Sequence, residues 1–238
     1  MIESLVNPKI KYAMKLKQKK YRTEFSQFLV EGSHLVEEAI KSNMISVLFS
    51  TQTEIYPDIE TYQISEQVML KLSDLNSSQG VIAICNKPEI RELSDKLLIL
   101  DNIQDPGNMG TLIRTAAAFG FNTIISEESV DFYNEKVIRS SQGALFYVNI
   151  IDKDIIKFIK THNEYHYFGT DVLMGKDIRD IDFSDEKIAV ILGNEGNGVR
   201  ESIKELVNNN INIPMISTES LNVGIAGGIL MFEAFKEK

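Results

Sequence analysis

The sequence predicts an α/β fold: a C-terminal domain built on a parallel sheet, preceded by a smaller α/β domain. Three observations carry this expectation. From Leu97 onward, strand-like runs alternate with helical patterns. Those runs are apolar throughout, not at every second residue, as strands covered on both faces are. Between the halves, residues 86–96 are polar, contain Pro88 and lack an apolar period, which marks a linker. The expected domains are residues 1–90 and 97–238.

Each element follows from local pattern. Phe28 to Glu31 reads as a strand, and Gly32-Ser33 opens a helix over His34 to Ile40 with Ser33 as its N-cap. Ile45 to Phe49 is the next strand. Ser65 to Leu72 is helical, with Val68, Met69 and Leu72 on one face. Val81 to Ile84 is again a strand. Beyond the linker, strands are expected at Leu97–Leu100, Thr123–Ile125, Leu145–Val148, Tyr167–Phe168, Ile188–Leu192 and Ile211–Ile213. There is no internal repeat and no low-complexity tract.

Composition narrows the function classes. The 238 residues carry a formal net charge of −9, which argues against a simple basic nucleic-acid binder. The charge is uneven, however. Residues 1–22 hold seven basic groups, Lys9, Lys11, Lys15, Lys17, Lys19, Lys20 and Arg22, against one acid, Glu3. The remaining 18 basic and 33 acidic residues form an acidic body. A basic N-terminal arm on such a body suggests a local polyanion contact, or else a solvated helix face. Cys85 is the sole cysteine, so neither an internal disulfide nor a cysteine-based metal cluster is expected. It lies in an apolar strand and reads as a core residue. With no signal-peptide pattern and no apolar run of the roughly 20 residues a membrane helix needs, a soluble, cytoplasmic protein is expected.

Three stretches carry candidate chemistry. In "LDNIQDPGNMGTLIRTAAAFG", residues 100–120, Met109, Leu112, Ile113, Ala116 and Ala117 form a buried helical stripe. Asn108 precedes that stripe as an N-cap candidate, and Arg114 lies off it. In open α/β sheets ligands gather at the carboxyl ends of strands, which is where this turn falls. The second stretch is "VILGNEGNGVRE", residues 190–201, where a strand meets three glycines before a helix from Val199. Its GxxGxG spacing is neither a dinucleotide fingerprint nor a P-loop, and Glu195 within it would repel phosphate. The glycines would instead let a ligand approach the backbone. The third is "INIPMISTESLNVGIAGGILMFEAF", residues 211–235, with Ser220 to Asn222 opening a helix. From Leu221 to Phe235 the only polar side chains are Asn222 and Glu233. A helix so apolar must be covered on more than one side, by the sheet and by a second subunit.

Together these stretches resemble the SpoU (TrmH-like) branch of the SPOUT RNA methyltransferases. The motif N-x-x-x-P-x-N-x-G-x-x-x-R falls on Asn102 through Arg114, L-G-x-E-G-x-G on Leu192 through Gly198, and I-P-M with S-L-N-V between Ile213 and Val223. "KYRTEFSQFLVEGSHLVEEAI" and "SSQGVIAI" resemble the substrate-binding domain that precedes the catalytic domain in many members. One departure is glycine at 224, 227 and 228, where relatives often carry Ser and Ala. Each costs a helix up to about 1 kcal/mol, so close helix packing is expected there.

The resemblance implies a SPOUT domain with a C-terminal trefoil knot and a homodimer. It implies transfer of a methyl group from S-adenosylmethionine to a ribose 2′-hydroxyl of RNA, ribosomal RNA first and transfer RNA second. Catalytic roles would fall to Arg114, Asn108, Glu195, Ser220 and Asn222. Cofactor contacts would fall to Leu192, Gly193, Gly198, Ile213 and Leu221, with no metal. Two other classes remain open at this stage: a non-catalytic RNA-binding relative, and an unrelated α/β enzyme using a different nucleotide.

Overall fold

Asn7 and Pro8 start the first helix, α1 (Pro8–Lys15): the Asn7 side chain accepts from the Lys9 backbone N–H, and proline needs no partner there. A computed structural model of the chain describes residues 1–53, 58–75 and 77–235. After α2 (Lys19–Glu24) and β1 (Gln27–Glu31) comes α3 (Ser33–Lys41). Its cap is Gly32 at φ +97°, and Ser33 is the first helical residue, not the expected N-cap; the Gln79 side chain accepts from the Ser33 backbone N–H at 2.9 Å. Next are β2 (Ile45–Ser50), β3 (Thr61–Gln63), α4 (Glu66–Leu72), capped by Ser65, and β4 (Val81–Asn86). The strands form one sheet in the order β1-β4-β2-β3, with β4 antiparallel to both neighbours and β2 parallel to β3. Ile10 and Leu16 from the helices pack with Phe49, Val68, Met69, Ile82 and Ile84 in its core. Cys85 is buried in β4, where desolvation pushes its thiol far above the ordinary range.

The rest of the chain runs β5 (Lys96–Asp101), α5 (Pro106–Ala118), β6 (Thr123–Glu127), α6 (Glu135–Ser141), β7 (Asn149–Asp152), α7 (Ile155–Thr161) and β8 (His166–Thr170). It ends with β9 (Lys176–Asp177), β10 (Ile188–Gly193), α8 (Glu201–Lys204), β11 (Asn209–Asn212) and α9 (Val223–Phe235). Seven strands form a sheet in the order β7-β6-β5-β10-β8-β11-β9, parallel at every pairing. Its central strands are buried along their length, as continuous apolar runs demand. No helix among the described residues is long and apolar enough to cross a membrane.

Three local expectations change. Leu145 to Val148 is not a strand: Ala144–Phe146 form a 3-10 turn, and β7 begins at Asn149. Short apolar runs fit a buried turn as well as a strand, and here Gln142 and Gly143, both at positive φ, reverse the chain. The helix expected from Val199 starts at Glu201, and the one expected from Ser220 starts at Val223. Strands β3 and β9 are too short and polar to announce themselves.

The chain divides into two compact units, and the division is not linear. One comprises Met1–Glu89 together with Asp131–Phe146; the other comprises Ile90–Val130 and the chain from Tyr147 onward. The expected second domain of 97–238 therefore lends a segment to the first unit. Arg22 explains part of this. It is 4% exposed and donates to Asp131 Oδ2 from Nε (2.8 Å) and Nη2 (2.6 Å), and to the carbonyls of Leu16 and Lys17 from Nη1. Phe28 stacks with Phe146 and lies 4.6 Å from the Tyr133 ring. Arg22 is thus spent inside the fold and is no part of a basic arm.

Candidate active site

The turn after β5 is capped by Asp105, whose side chain accepts from the Asn108 backbone N–H at 2.8 Å. Asn108 is consequently not the N-cap but lies inside the first turn, where its side chain serves something else. Its Nδ2 donates to Glu195 Oε1 at 3.1 Å, and its Oδ1 accepts from Asn222 Nδ2 at 2.8 Å. Asn222 also caps α9, its Oδ1 accepting from the backbone N–H groups of Gly224 (2.9 Å) and Ile225 (3.3 Å). Asn108 thus joins partners 87 and 114 positions away into one polar relay, Asn222 to Asn108 to Glu195.

Glu195 collects further donors: Asp105 N at 3.2 Å and Gln104 N at 3.4 Å. Partial burial opposes its ionisation. The hydrogen bonds from Asn108 and from the backbone of Glu195, Asp105 and Gln104 outweigh that and hold the carboxyl below its ordinary range. It is an anion at neutral pH, fixed in place by neutral donors, and so remains able to orient a cation or a hydroxyl.

The loop carrying Glu195 is held by its own backbone. A Cβ on Gly193 would sit 2.1 Å from the Gly198 carbonyl carbon and from the Val199 nitrogen. At Gly193 the close approach is therefore the chain's own. Gly198 turns the loop at φ +69°, and Asn194 Oδ1 accepts from Gly196 N (2.9 Å) and Asn197 N (3.1 Å). Asn194 Nδ2 donates to the Asn102 carbonyl at 2.9 Å, tying this loop to the one after β5.

A second clamp was missed by sequence reasoning. Asp101, 1% exposed at the end of β5, accepts from the Arg200 backbone N–H at 2.9 Å. Arg200 Nε lies 2.7 Å from Asp101 Oδ1, an ion-pair contact off the hydrogen-bond line, and Arg200 Nη2 reaches the Glu127 carboxylate on β6. The available signal was an acid ending the apolar run Leu97–Leu100, since a buried carboxylate needs a partner.

Helix α9 crosses α5 on its glycines. A Cβ on Gly227 would come within 2.5 Å of Leu112 and 2.7 Å of Leu192, and one on Gly224 within 3.2 Å of Thr111. The expected close packing is present at Gly224 and Gly227, where it brings the Asn222 cap to Asn108, but a Cβ on Gly228 would meet only Thr115 at 3.9 Å, an ordinary contact.

The remaining site candidates are not joined to the relay. Arg114 is exposed on α5 and makes no hydrogen bond or ion pair with any described residue; Ser220 is likewise exposed and unpaired. Leu192 and Gly193 are buried at the end of β10, Gly198 is exposed in its loop, and Ile213 is half-buried just past β11. Among the described residues, 214–221 make no backbone-to-backbone hydrogen bond, and Ile216 and Leu221 are exposed there.

Known proteins resemble the chain over nearly its whole length. The model of the SpoU rRNA methylase family matches residues 95–232, and that of the MRM3-like substrate binding domain matches residues 7–83. The chain is 36% identical to the Bacillus subtilis 23S rRNA (guanosine(2553)-2′-O)-methyltransferase RlmP, over 97% of each chain. It is 24% identical to the mouse mitochondrial rRNA methyltransferase 3, over 93% of this chain and 70% of that protein. Among solved structures, the AdoMet-bound rRNA methyltransferase from Sinorhizobium meliloti superposes with a TM-score of 0.88, at 28% identity, covering 98% of this chain and 96% of that one.

Proposed function

The chain belongs to the SpoU rRNA methylase family, and from that premise we propose how its residues divide the work of methyl transfer. The reaction moves a methyl group from S-adenosylmethionine to a ribose 2′-hydroxyl of RNA, with ribosomal RNA as the substrate. The observation that carries the assignment of residues is the relay of Asn222, Asn108 and Glu195. It uses the family's three motifs at once, while Arg114 has no partner among the described residues.

S-adenosylmethionine supplies a sulfonium methyl that is already electrophilic. Residues 214–221 fit such a ligand, because they offer backbone groups without backbone partners beside the exposed side chains of Ile216 and Leu221. A nucleoside asks for that combination of polar edges and apolar cover. Leu192, Gly193, Gly198, Ile213 and Leu221 form its binding region in this reading.

A ribose hydroxyl is a poor nucleophile and sheds its proton as it attacks. Arg114 stabilises the developing alkoxide, an interaction stronger in the transition state than before it. It does not act as the base, since a guanidinium gives up its proton only at high cost. A substrate phosphate held by Arg114 helps to accept the proton. Asn108 and Glu195 orient the ribose and the guanidinium, Asn222 fixes Asn108, and Ser220 adds a hydroxyl at the same loop.

The N-terminal unit holds the RNA, and a second copy of the chain covers α9, which exposes Ile225, Phe232 and Phe235. The protein works in the cytoplasm as a homodimer on this reading. The test is to incubate the full chain with undermodified total RNA and labelled cofactor, then map the label by alkaline hydrolysis. Cleavage is expected to stop at the labelled nucleotide. Label released with a free base would overturn the reading.

A further inference from the structure

The N-terminal unit carries a surface whose chemistry the methyl-transfer site does not use. Tyr12, Phe25 and Tyr21 form a ladder of half-buried rings, with centroids 5.0 Å and 5.9 Å apart and nearly parallel planes. Lys15 and Lys20 lie 5.4 Å and 5.6 Å from the Tyr21 ring centre. Lysines elsewhere on this surface are spoken for: Lys9 pairs with Glu60 and Lys17 with Asp74. Lys11, Lys15, Lys19 and Lys20 pair with no acid among the described residues. Uncompensated cations interleaved with aromatic faces suit a polyanion whose units carry flat rings.

The ladder ends at a pocket of about 390 Å³, inside the range of roughly 300–1,000 Å³ typical of small-ligand sites. Val47, Phe49, Ile84, Tyr12, Pro8 and Lys9 line it. Gln27 and Ser46 also line it. Gln27 is held by accepting from the Tyr12 hydroxyl at 2.7 Å and donating to Asn86 Oδ1 at 2.7 Å, which leaves one N–H and one lone pair to spare. Ser46 is the extra residue where β2 slips register against β4, between Ile45 and Val47. Such bulges re-aim a side chain, and Ser46 is among the residues that line the pocket.

We infer that this face binds unpaired RNA, with bases stacked along the Tyr12–Phe25–Tyr21 ladder, phosphates on the free lysines, and one base seated against Gln27 and Ser46. The inference rests on the RNA-methyltransferase reading and adds to it a single-stranded recognition element. Base stacking on aromatic side chains tolerates any sequence, whereas the amide and hydroxyl of the pocket distinguish one base edge from another.

The test uses the full-length chain and fluorescent oligouridine, oligocytidine and oligoadenosine of about 12 nucleotides, with a duplex RNA of equal length as competitor. Single strands are expected to bind more tightly than the duplex. Tyr21→Leu and Tyr21→Ala are expected to weaken binding about five-fold or more, while Tyr21→Phe binds as the parent does. Ser46→Val is expected to change the order of preference among the three oligomers and leave the salt dependence alone. Equal binding by Tyr21→Leu, or a duplex that competes equally well, overturns the inference. Calorimetry with S-adenosylmethionine on the same samples separates the two readings: intact cofactor binding beside either result removes only this surface, whereas lost cofactor binding in the parent chain removes the function itself.

Discussion

The two units handle polar side chains in opposite ways. Around the carboxyl ends of β5 and β10, each polar group is tied to the next, from Asn222 through Asn108 to Glu195 and from Arg200 to Asp101 and Glu127. On α1 and α2 of the other unit, four lysines pair with no acid among the described residues, and two of them, Lys15 and Lys20, lie beside the Tyr21 ring. Chemistry at one atom requires fixed donors, because a group that must be reorganised during reaction loses its advantage. Holding a flexible polyanion requires many interchangeable contacts, whose summed effect is electrostatic and graded. The one cation of the catalytic unit's three motifs that resembles those lysines, being exposed and without a partner among the described residues, is Arg114. The contrast predicts that it behaves as a catalytic group and not as one more phosphate contact.

Replacing Arg114 with alanine sharpens that contrast most. Turnover is expected to fall by about 10²–10³-fold, with cofactor affinity within a few-fold of the parent by calorimetry. A folded Arg114→Ala protein with substantial turnover, and weaker RNA binding instead, would place Arg114 with the lysines and break the comparison.

The next effect is on stability. Gly193→Ala puts a methyl against backbone atoms 2.1 Å away and is expected to cost about 1–3 kcal/mol or more in denaturant unfolding. Gly196→Ala in the same loop meets only an ordinary contact at 3.5 Å, so its midpoint should stay near the parent's. Equal effects at the two positions would show that the loop is not pinned at Gly193.

Asn222→Ala removes the α9 cap and the bond to Asn108 together. A loss of about 1 kcal/mol in stability is expected, accompanied by reduced turnover. In the other unit, Lys15→Ala and Lys20→Ala should leave turnover at saturating RNA unchanged. Each should lower the slope of log affinity against log salt by about 0.7, the contribution of one phosphate contact to a single strand.

The smallest effect concerns pH. Because the native environment depresses the Glu195 carboxyl, its contribution is present above the unfolded value of about 4.3 and is lost as pH falls through the native one. Glu195→Gln should therefore be slightly less stable than the parent near neutrality, and the gap should close in acid. A gap that widened in acid would mean that the carboxyl is raised, not lowered.

The sequence and the structure divide the credit along a physical line. Strands such as Leu97–Leu100 and Ile188–Leu192 were legible because a buried parallel strand must be apolar along its length. The stripe of Met109, Leu112, Ile113, Ala116 and Ala117 was legible for the corresponding helical reason; the first four are buried and Ala117 is half-buried. Local competition is where reading failed. Asp105 took the cap assigned to Asn108, and Gly32 took the one assigned to Ser33, because several neighbouring residues can cap a helix and only the exit path of the chain selects one.

By itself the sequence determined the α/β class, the positions of the three motif stretches at strand ends, and, through resemblance, the family and its chemistry. Only the tertiary structure decided that Asn108 bridges Glu195 and Asn222, that Arg22 is consumed by Asp131, and that residues Asp131–Phe146 belong with the N-terminal unit. The reason is range. Periodicity and turn chemistry act over a few residues and are written locally. A hydrogen bond between positions 108 and 222, or an ion pair between 22 and 131, exists only once the sheet order has brought distant loops together, and no local pattern encodes that order.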